Sequence, residues 1–297
     1  MAQASERGPQ APFSLWHAGR FQLELDQPLL MGIVNVTPDS FSDGGQHDAP
    51  PAALVHAQRL LEEGAHILDL GGESTRPGAP AVSAEQEWAR LAPVLQEVVR
   101  WQVPVSVDTR RTEVMARALD AGADIINDVK ALQAPGALAL LAAHGQAGVC
   151  LMHMRADPST MQQHTDYAGD VVEELRDWLG QRAREVRDAG VQALRIVLDP
   201  GIGFAKTPEQ NLLLLQRQAE LLSLGFPLLI GWSRKSTLGL ITGRPAMQRQ
   251  AASVAAALMA AQAGASVLRV HDVAATRDAL RVWEAVRLGK PPQQDGQ

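Results

Sequence analysis

Residues 29–36, Leu29-Leu30-Met31-Gly32-Ile33-Val34-Asn35-Val36, form an apolar run with one amide side chain near its end. A strand that is apolar on both sides is buried on both faces, as in a parallel sheet covered by helices. Seven more runs of this kind follow, at 67–70, 105–107, 125–127, 148–152, 195–198, 228–230 and 267–270. The chain between successive runs is long enough for a helical crossover, so the strands pair in parallel. Amphipathic stretches at 52–63, 84–100, 112–121, 171–189, 210–224, 246–263 and 276–288 occupy those gaps. Most end at a glycine, the usual helix stop: Gly64, Gly122, Gly190, Gly225, Gly264 and Gly289. Eight strand and helix units in about 260 residues predict a single α/β domain, a closed (β/α)8 TIM barrel. An open doubly wound sheet commonly has about five or six strands.

The barrel is expected over residues 29–290, preceded by an extension at 1–28 and followed by a frayed tail at 291–297. Within the extension, Phe13-Ser14-Leu15-Trp16 and Phe21-Gln22-Leu23-Glu24-Leu25 alternate as a hairpin around Ala18-Gly19. This hairpin is expected to cover the barrel's N-terminal end.

The 297 residues are 46% hydrophobic and 20% charged, which supplies a core and carries no signature of disorder. A net charge of −6 argues against general attraction to nucleic acid or anionic lipid. Cys150 is the only cysteine, so an intrachain disulfide and a cysteine zinc cluster are excluded and a reducing compartment fits. Residues 1–10 are polar, and no apolar run approaches the roughly 18 residues of a membrane span. A soluble cytoplasmic protein is expected.

Nearly every apolar strand ends in a residue able to ionise or to make two hydrogen bonds. In a barrel these ends share the face that holds the active site. They are Asn35, Glu73 to Arg76, Asp108, Asn127-Asp128, His153, Asp199, Ser233-Arg234-Lys235, and Arg269 with His271. Singly, Asp108, Asp199 and Asn127-Asp128 are equally suited to capping turns. Together, two carboxylates and an amide on Asp108, Asn127 and Asp199 suit a flat heterocycle with adjacent N–H groups, such as a fused amino-oxo ring. Arg234-Lys235 and Arg269-Val270-His271 follow the last two strands, where barrels often bind phosphate, and indicate an anionic ligand. Asn35 offers a hard oxygen for Mg²⁺. Other chemistries rank lower: Gly201-Ile202-Gly203 lacks the third glycine of a dinucleotide fingerprint. Walker, G-x-S-x-G and H-E-x-x-H motifs are missing. Cys150 lies within an apolar run and reads as an inert core thiol, and the methionines of Met152-His153-Met154 read as packing.

The segments around these strand ends are longer and more specific than the single residues. They are Met31-Gly32-Ile33-Val34-Asn35-Val36-Thr37-Pro38-Asp39-Ser40-Phe41-Ser42-Asp43-Gly44-Gly45 and Gly71-Gly72-Glu73-Ser74-Thr75-Arg76-Pro77-Gly78. In the same order follow Ser106-Val107-Asp108-Thr109, Ile126-Asn127-Asp128-Val129, Leu198-Asp199-Pro200-Gly201, Ser233-Arg234-Lys235-Ser236 and Arg269-Val270-His271-Asp272. These segments closely resemble the signatures of the dihydropteroate synthase family, and the resemblance spans about residues 29–288. It implies a transferase that joins 6-hydroxymethyl-7,8-dihydropterin diphosphate to 4-aminobenzoate, giving 7,8-dihydropteroate and diphosphate in folate biosynthesis. By motif, Asp108, Asn127 and Asp199 would hold the pterin edge, with Lys235 and Met152 beside the ring. Arg269 and His271 would hold the diphosphate and Asn35 its Mg²⁺. Thr75, Arg76, Pro77, Gly203, Phe204 and Ser236 would lie near the aminobenzoate. The resemblance also implies a homodimer.

Three features depart from the family pattern. Arg110-Arg111-Thr112 stands where a shorter polar residue and Lys-Pro are frequent, Ala205 where Gly is frequent, and Trp232 where a smaller residue or Met is. Two rival readings, a methyltransferase moving a methyl group from a reduced folate to a corrinoid and a binding-only barrel, are disfavoured. The first does not need the cations of the last two strands, and the second does not explain why every proposed ligand is present.

Overall fold

The computed structural model describes residues 14–37, 49–74 and 82–290. The chain opens with an antiparallel hairpin of β1 (Leu15–Ala18) and β2 (Phe21–Glu24), turning at Gly19-Arg20. Phe13 and the tail at 291–297 lie outside the described residues. Eight parallel strands follow: β3 (Leu29–Asn35), β4 (Ile67–Gly71), β5 (Val105–Asp108), β6 (Ile125–Asp128), β7 (Gly148–Met152), β8 (Ile196–Asp199), β9 (Leu229–Ile230) and β10 (Val267–Val270). Each pairs with its sequence neighbour, and β10 also pairs with β3. Leu198 of β8 bridges in parallel to Leu228 beside β9, and its N–H donates to Pro227 O at 2.9 Å, which completes the ring. The expected TIM barrel is therefore present.

Strands β4, β7 and β8 are buried along their whole length, as continuous apolar runs require. Side chains alternate between two faces. Leu30, Leu68, Val105, Ile126 and Leu198 face outward against the helices. The inward set forms its own layer: Met31, Ile67, Ile125, Cys150, Val197, Leu229 and Val267, with Trp16 and Ala18 of β1 and Leu25 packed on it. Trp16 is fully buried, and its Nε1 donates to Arg195 O at 3.0 Å. The hairpin thus plugs the N-terminal end of the barrel, as expected.

Nine helices are found among the described residues: α1 (Ala49–Glu62), α2 (Ala84–Val98), α3 (Thr112–Asp120), α4 (Ala137–His144), α5 (Val171–Asp188), α6 (Pro208–Gln216), α7 (Ser236–Thr242), α8 (Gln250–Gln262) and α9 (Val273–Leu288). The sequence reading did not anticipate α4 or α7. The first is almost wholly alanine and leucine, so no polar face marks a period, and the second is seven residues long. The single helix expected at 210–224 is broken at Arg217, beyond which Gln218–Leu224 is 3-10 helix. Arg217 leaves helical geometry and pairs with Glu220 and with Asp170, the residue that caps α5. No helix among the described residues is long and apolar enough to cross a membrane.

Candidate active site

Strand alternation carries the inward layer upward. Two residues beyond Met31 and Ile33 comes Asn35, and beyond Ile67 comes Asp69. Likewise Asn127 follows Ile125, Met152 follows Cys150, Asp199 follows Val197, and Arg269 follows Val267. Val105 and Val107 face the helices, so Asp108 also faces inward. The pterin-edge set read from sequence is thereby gathered at one end of the barrel, the C-terminal end.

Arg269 is the hub of this layer. Its Nε donates to Asp69 Oδ2 at 2.6 Å and its Nη2 to Asp108 Oδ2 at 2.8 Å. Asn127 Nδ2 donates to the same Asp69 oxygen at 3.3 Å, while the buried Asp69 Oδ1 has no hydrogen-bond partner among the described residues. Asp69 is the site residue that the sequence reading missed. Its one signal is a charge inside the apolar run Ile67-Leu68-Asp69-Leu70, where a barrel interior tolerates it only if paired. Burial pushes the Asp108 carboxyl up from its usual range, with Asp69, Glu87 and Asp128 adding to the effect and Arg269 opposing it. Burial likewise raises Asp199, against the Gly201 N–H that Oδ1 accepts at 2.7 Å. Asp199 therefore shapes its turn as well as facing the site. Asp128 points the other way and accepts the N–H groups of Lys130 and Leu132 at 2.7 Å, so it is a turn residue.

The loops complete the wall. Lys235, the residue before α7, sets Nζ 4.1 Å from the centre of the Phe204 ring, a cation–π contact. Gly203 lies under it at φ +80°, and a Cβ there would stand 3.1 Å from Lys235 Cδ. Burial lowers the Lys235 ammonium to about 8; Arg269 adds to this, and Asp199 and Asp108 oppose it. Ser236 opens α7 and is exposed, while Met152 is buried. His271 receives two contacts from Ser233: its backbone N–H donates to Oγ at 3.1 Å, and Nδ1 lies 2.9 Å from the same oxygen. Ser233 thereby fixes the orientation of the imidazole. Arg234, grouped by sequence with the anion-binding cations, is committed to Asp272 at 2.8 Å.

Thr75, Arg76 and Pro77 lie outside the described residues. Glu73, just before them, is held by Arg110 at 3.1 Å and by Arg111 at 2.7 Å. Burial disfavours its charge, yet the two guanidinium groups bring Glu73 down to about 2. The Arg110-Arg111 pair therefore fixes Glu73. Cys150 is fully buried with its thiol pushed up, as an inert core residue should be.

Comparison with known proteins agrees with this geometry. The pterin binding enzyme family matches residues 31–271. A dihydropteroate synthase of Neisseria meningitidis serogroup B is 55% identical over 280 residues, covering 92% of this chain and 98% of the relative. A Xanthomonas albilineans dihydropteroate synthase solved with 4-aminobenzoic acid superposes with a TM-score of 0.87 at 50% identity, covering 92% of this chain and 98% of that one. A Burkholderia cenocepacia dihydropteroate synthase complexed with 7,8-dihydropteroate gives 0.84 at 46% identity, covering 93% and 97%. The chain belongs to the dihydropteroate synthase family of pterin-binding enzymes.

Proposed function

We propose that this chain condenses 6-hydroxymethyl-7,8-dihydropterin diphosphate with 4-aminobenzoate, giving 7,8-dihydropteroate and diphosphate in folate biosynthesis. The observation that carries the reading is the inward layer of Asp69, Asp108, Asn127, Asp199 and Arg269, with Lys235 over Phe204 at its edge. Asp108, Asn127 and Asp199 accept and donate along the amino-oxo edge of the pterin. The carbon–oxygen bond of the substrate methylene then breaks with its electron pair leaving on diphosphate. Arg269 and His271 stabilise that departing charge, while Asp108 and Asp199 stabilise the positive ring. The lone pair of the 4-aminobenzoate nitrogen, held near Phe204, Gly203 and Ser236 with Thr75, Arg76 and Pro77, forms the new carbon–nitrogen bond. That nitrogen then releases a proton to solvent. No protein nucleophile is required.

Asn35 ends β3 on the inward face and is partly buried. Among the described residues no group of three acidic, histidine or cysteine side chains surrounds a metal position. A single amide oxygen fits Mg²⁺ when diphosphate and water complete its shell. Asn35 would then hold Mg²⁺, which when bound supplies charge neutralisation to the leaving diphosphate.

A homodimer fits the large apolar side chains left exposed on Leu240 and Ile241 of α7, on Met247, and on Val282 and Val286 of α9. A cytoplasmic setting fits the single buried cysteine. Calorimetric titration with the dihydropterin diphosphate tests the site: Asp108→Asn and Asp199→Asn should each weaken binding at least tenfold. Unchanged affinity in both would remove these carboxylates from the pterin site.

A further inference from the structure

Lys206 has no part in the chemistry above, yet its ammonium is buried inside the loop that follows β8, and the residue is 3% exposed. Nζ donates to Phe204 O at 2.9 Å and Gly201 O at 3.0 Å, and lies 3.2 Å from His153 Nδ1 and 3.5 Å from His153 O. All of these acceptors are neutral. A buried ammonium is retained on such partners only when they are fixed in place, because desolvation otherwise outweighs the hydrogen bonds.

The loop is coiled around that ammonium. Gly201, Gly203 and Ala205 take φ of +69°, +80° and +50°, so left-handed residues alternate along it. Gly201 passes so close to β7 that a Cβ would stand 2.1 Å from His153 O. Ala205 carries a side chain in a region that favours glycine, so its backbone is strained. The coil turns the Gly201 and Phe204 carbonyls inward to Lys206 and the Phe204 ring outward to Lys235. From outside, Gln162 Nε2 donates to Gly203 O at 3.0 Å and Tyr167 Oη to Ala205 O at 3.2 Å, while Asn211 Oδ1 accepts from Gly203 N at 2.8 Å.

We propose that Lys206 is a positioning residue whose buried ammonium holds the Gly201–Ala205 coil in the shape that presents Phe204 to the aromatic amine substrate. The inference rests on the reading that the Phe204 side of the site takes 4-aminobenzoate. It assigns the affinity for that substrate, rather than for the pterin, to a group that touches neither.

The proton on Lys206 makes this contact sensitive to pH. The charged and titratable groups facing it are Asp199 at the end of β8, Lys235 before α7, and Arg155 and His153 after β7. Burial lowers Lys206 to about 7; Asp199 opposes this, and Lys235 and Arg155 add to it. His153 is neutral throughout, lowered to about 2 by burial and by Lys206 and Arg155. As pH rises through neutrality the ammonium loses its charge, its hold on the carbonyls weakens, and the coil loosens.

The test is steady-state kinetics of the full chain with both substrates, comparing wild type, Lys206→Met and Lys206→Arg. Lys206→Met should raise KM for 4-aminobenzoate at least tenfold, keep kcat at saturating 4-aminobenzoate within about threefold, and leave the calorimetric affinity for dihydropterin diphosphate unchanged. Lys206→Arg should recover part of the KM. Equal losses for both substrates, or an unchanged KM in a folded variant, would overturn the proposal. If Lys206→Met does not fold, the wild-type profile decides: between about pH 6 and about pH 7, below the range in which Lys235 loses its proton, KM for 4-aminobenzoate should climb by more than pterin affinity falls. A level KM contradicts the proposal. A wild-type enzyme that makes no dihydropteroate overturns the underlying functional reading instead, a different outcome from turnover with an unresponsive KM.

Discussion

Arg269 on β10 and Asp108 on β5 meet across the barrel mouth, Nη2 to Oδ2 at 2.8 Å, and the same guanidinium reaches Asp69 at 2.6 Å. One cation therefore organises two carboxylates from different strands in the layer proposed to receive the pterin. Removing Asp69 leaves Arg269 with one partner in a site largely closed to water. Breaking one arm of a buried pair commonly costs about 3 kcal/mol. Asp69→Ala is expected to lose about that much in urea unfolding and to weaken binding of the dihydropterin diphosphate. A variant as stable and as tight as wild type would show that Arg269 does not depend on Asp69.

The lowered Lys235 ammonium gives the free enzyme an alkaline limit. Lysine ordinarily keeps its proton to about pH 10, whereas burial here brings Lys235 to about 8. If the charged form serves beside the ring, kcat/KM for the dihydropterin diphosphate falls as pH rises through about 8. Lys235→Arg stays charged and should lose that limb, whatever its absolute rate. An identical alkaline limb in both enzymes would place the titrating group elsewhere.

Ser233→Ala removes the hydroxyl that orients the His271 ring. The imidazole then loses contacts that set its angle at the barrel mouth. A rise of about three- to thirtyfold in KM for the dihydropterin diphosphate, with little change in KM for 4-aminobenzoate and in melting temperature, is expected. Equal effects on both substrates would argue against a diphosphate-directed His271.

Trp16 belongs to stability, not to chemistry. It plugs the end of the barrel opposite the site and donates from Nε1 to Arg195 O. Trp16→Ala should cost about 3–5 kcal/mol, as large aromatic truncations in cores do, while kcat at a temperature where the variant is folded stays near wild type. A specific loss of kcat without a loss of stability would refute this division.

Much of this was legible because the barrel imposes two rules that a sequence displays. Both faces of a strand are buried, so Leu29 to Val36 reads as an unbroken apolar run, and the polar residue closing each run marks the catalytic end. Asn35, Asp108, Asn127, Asp199, Arg269 and His271 were readable on that basis. Asp69 was not, since it lies inside a run and its partner Arg269 is 200 residues away. Lys206 was passed over because the role proposed for it depends on alternating left-handed residues, a property of the folded backbone. Helix α4 lacked a polar face and so any period. Sequence likewise places Arg234 at a strand end without showing that Asp272 engages it.

The most direct measurement is a single incubation of the purified protein with Mg²⁺, 6-hydroxymethyl-7,8-dihydropterin diphosphate and 4-aminobenzoate, following 7,8-dihydropteroate and diphosphate together, with Lys235→Ala alongside. The account predicts both products in equal amounts from the wild type and a strong loss in the variant, whose far-UV spectrum and melting temperature stay near wild type. Saturable binding of the dihydropterin diphosphate with neither product formed would contradict it.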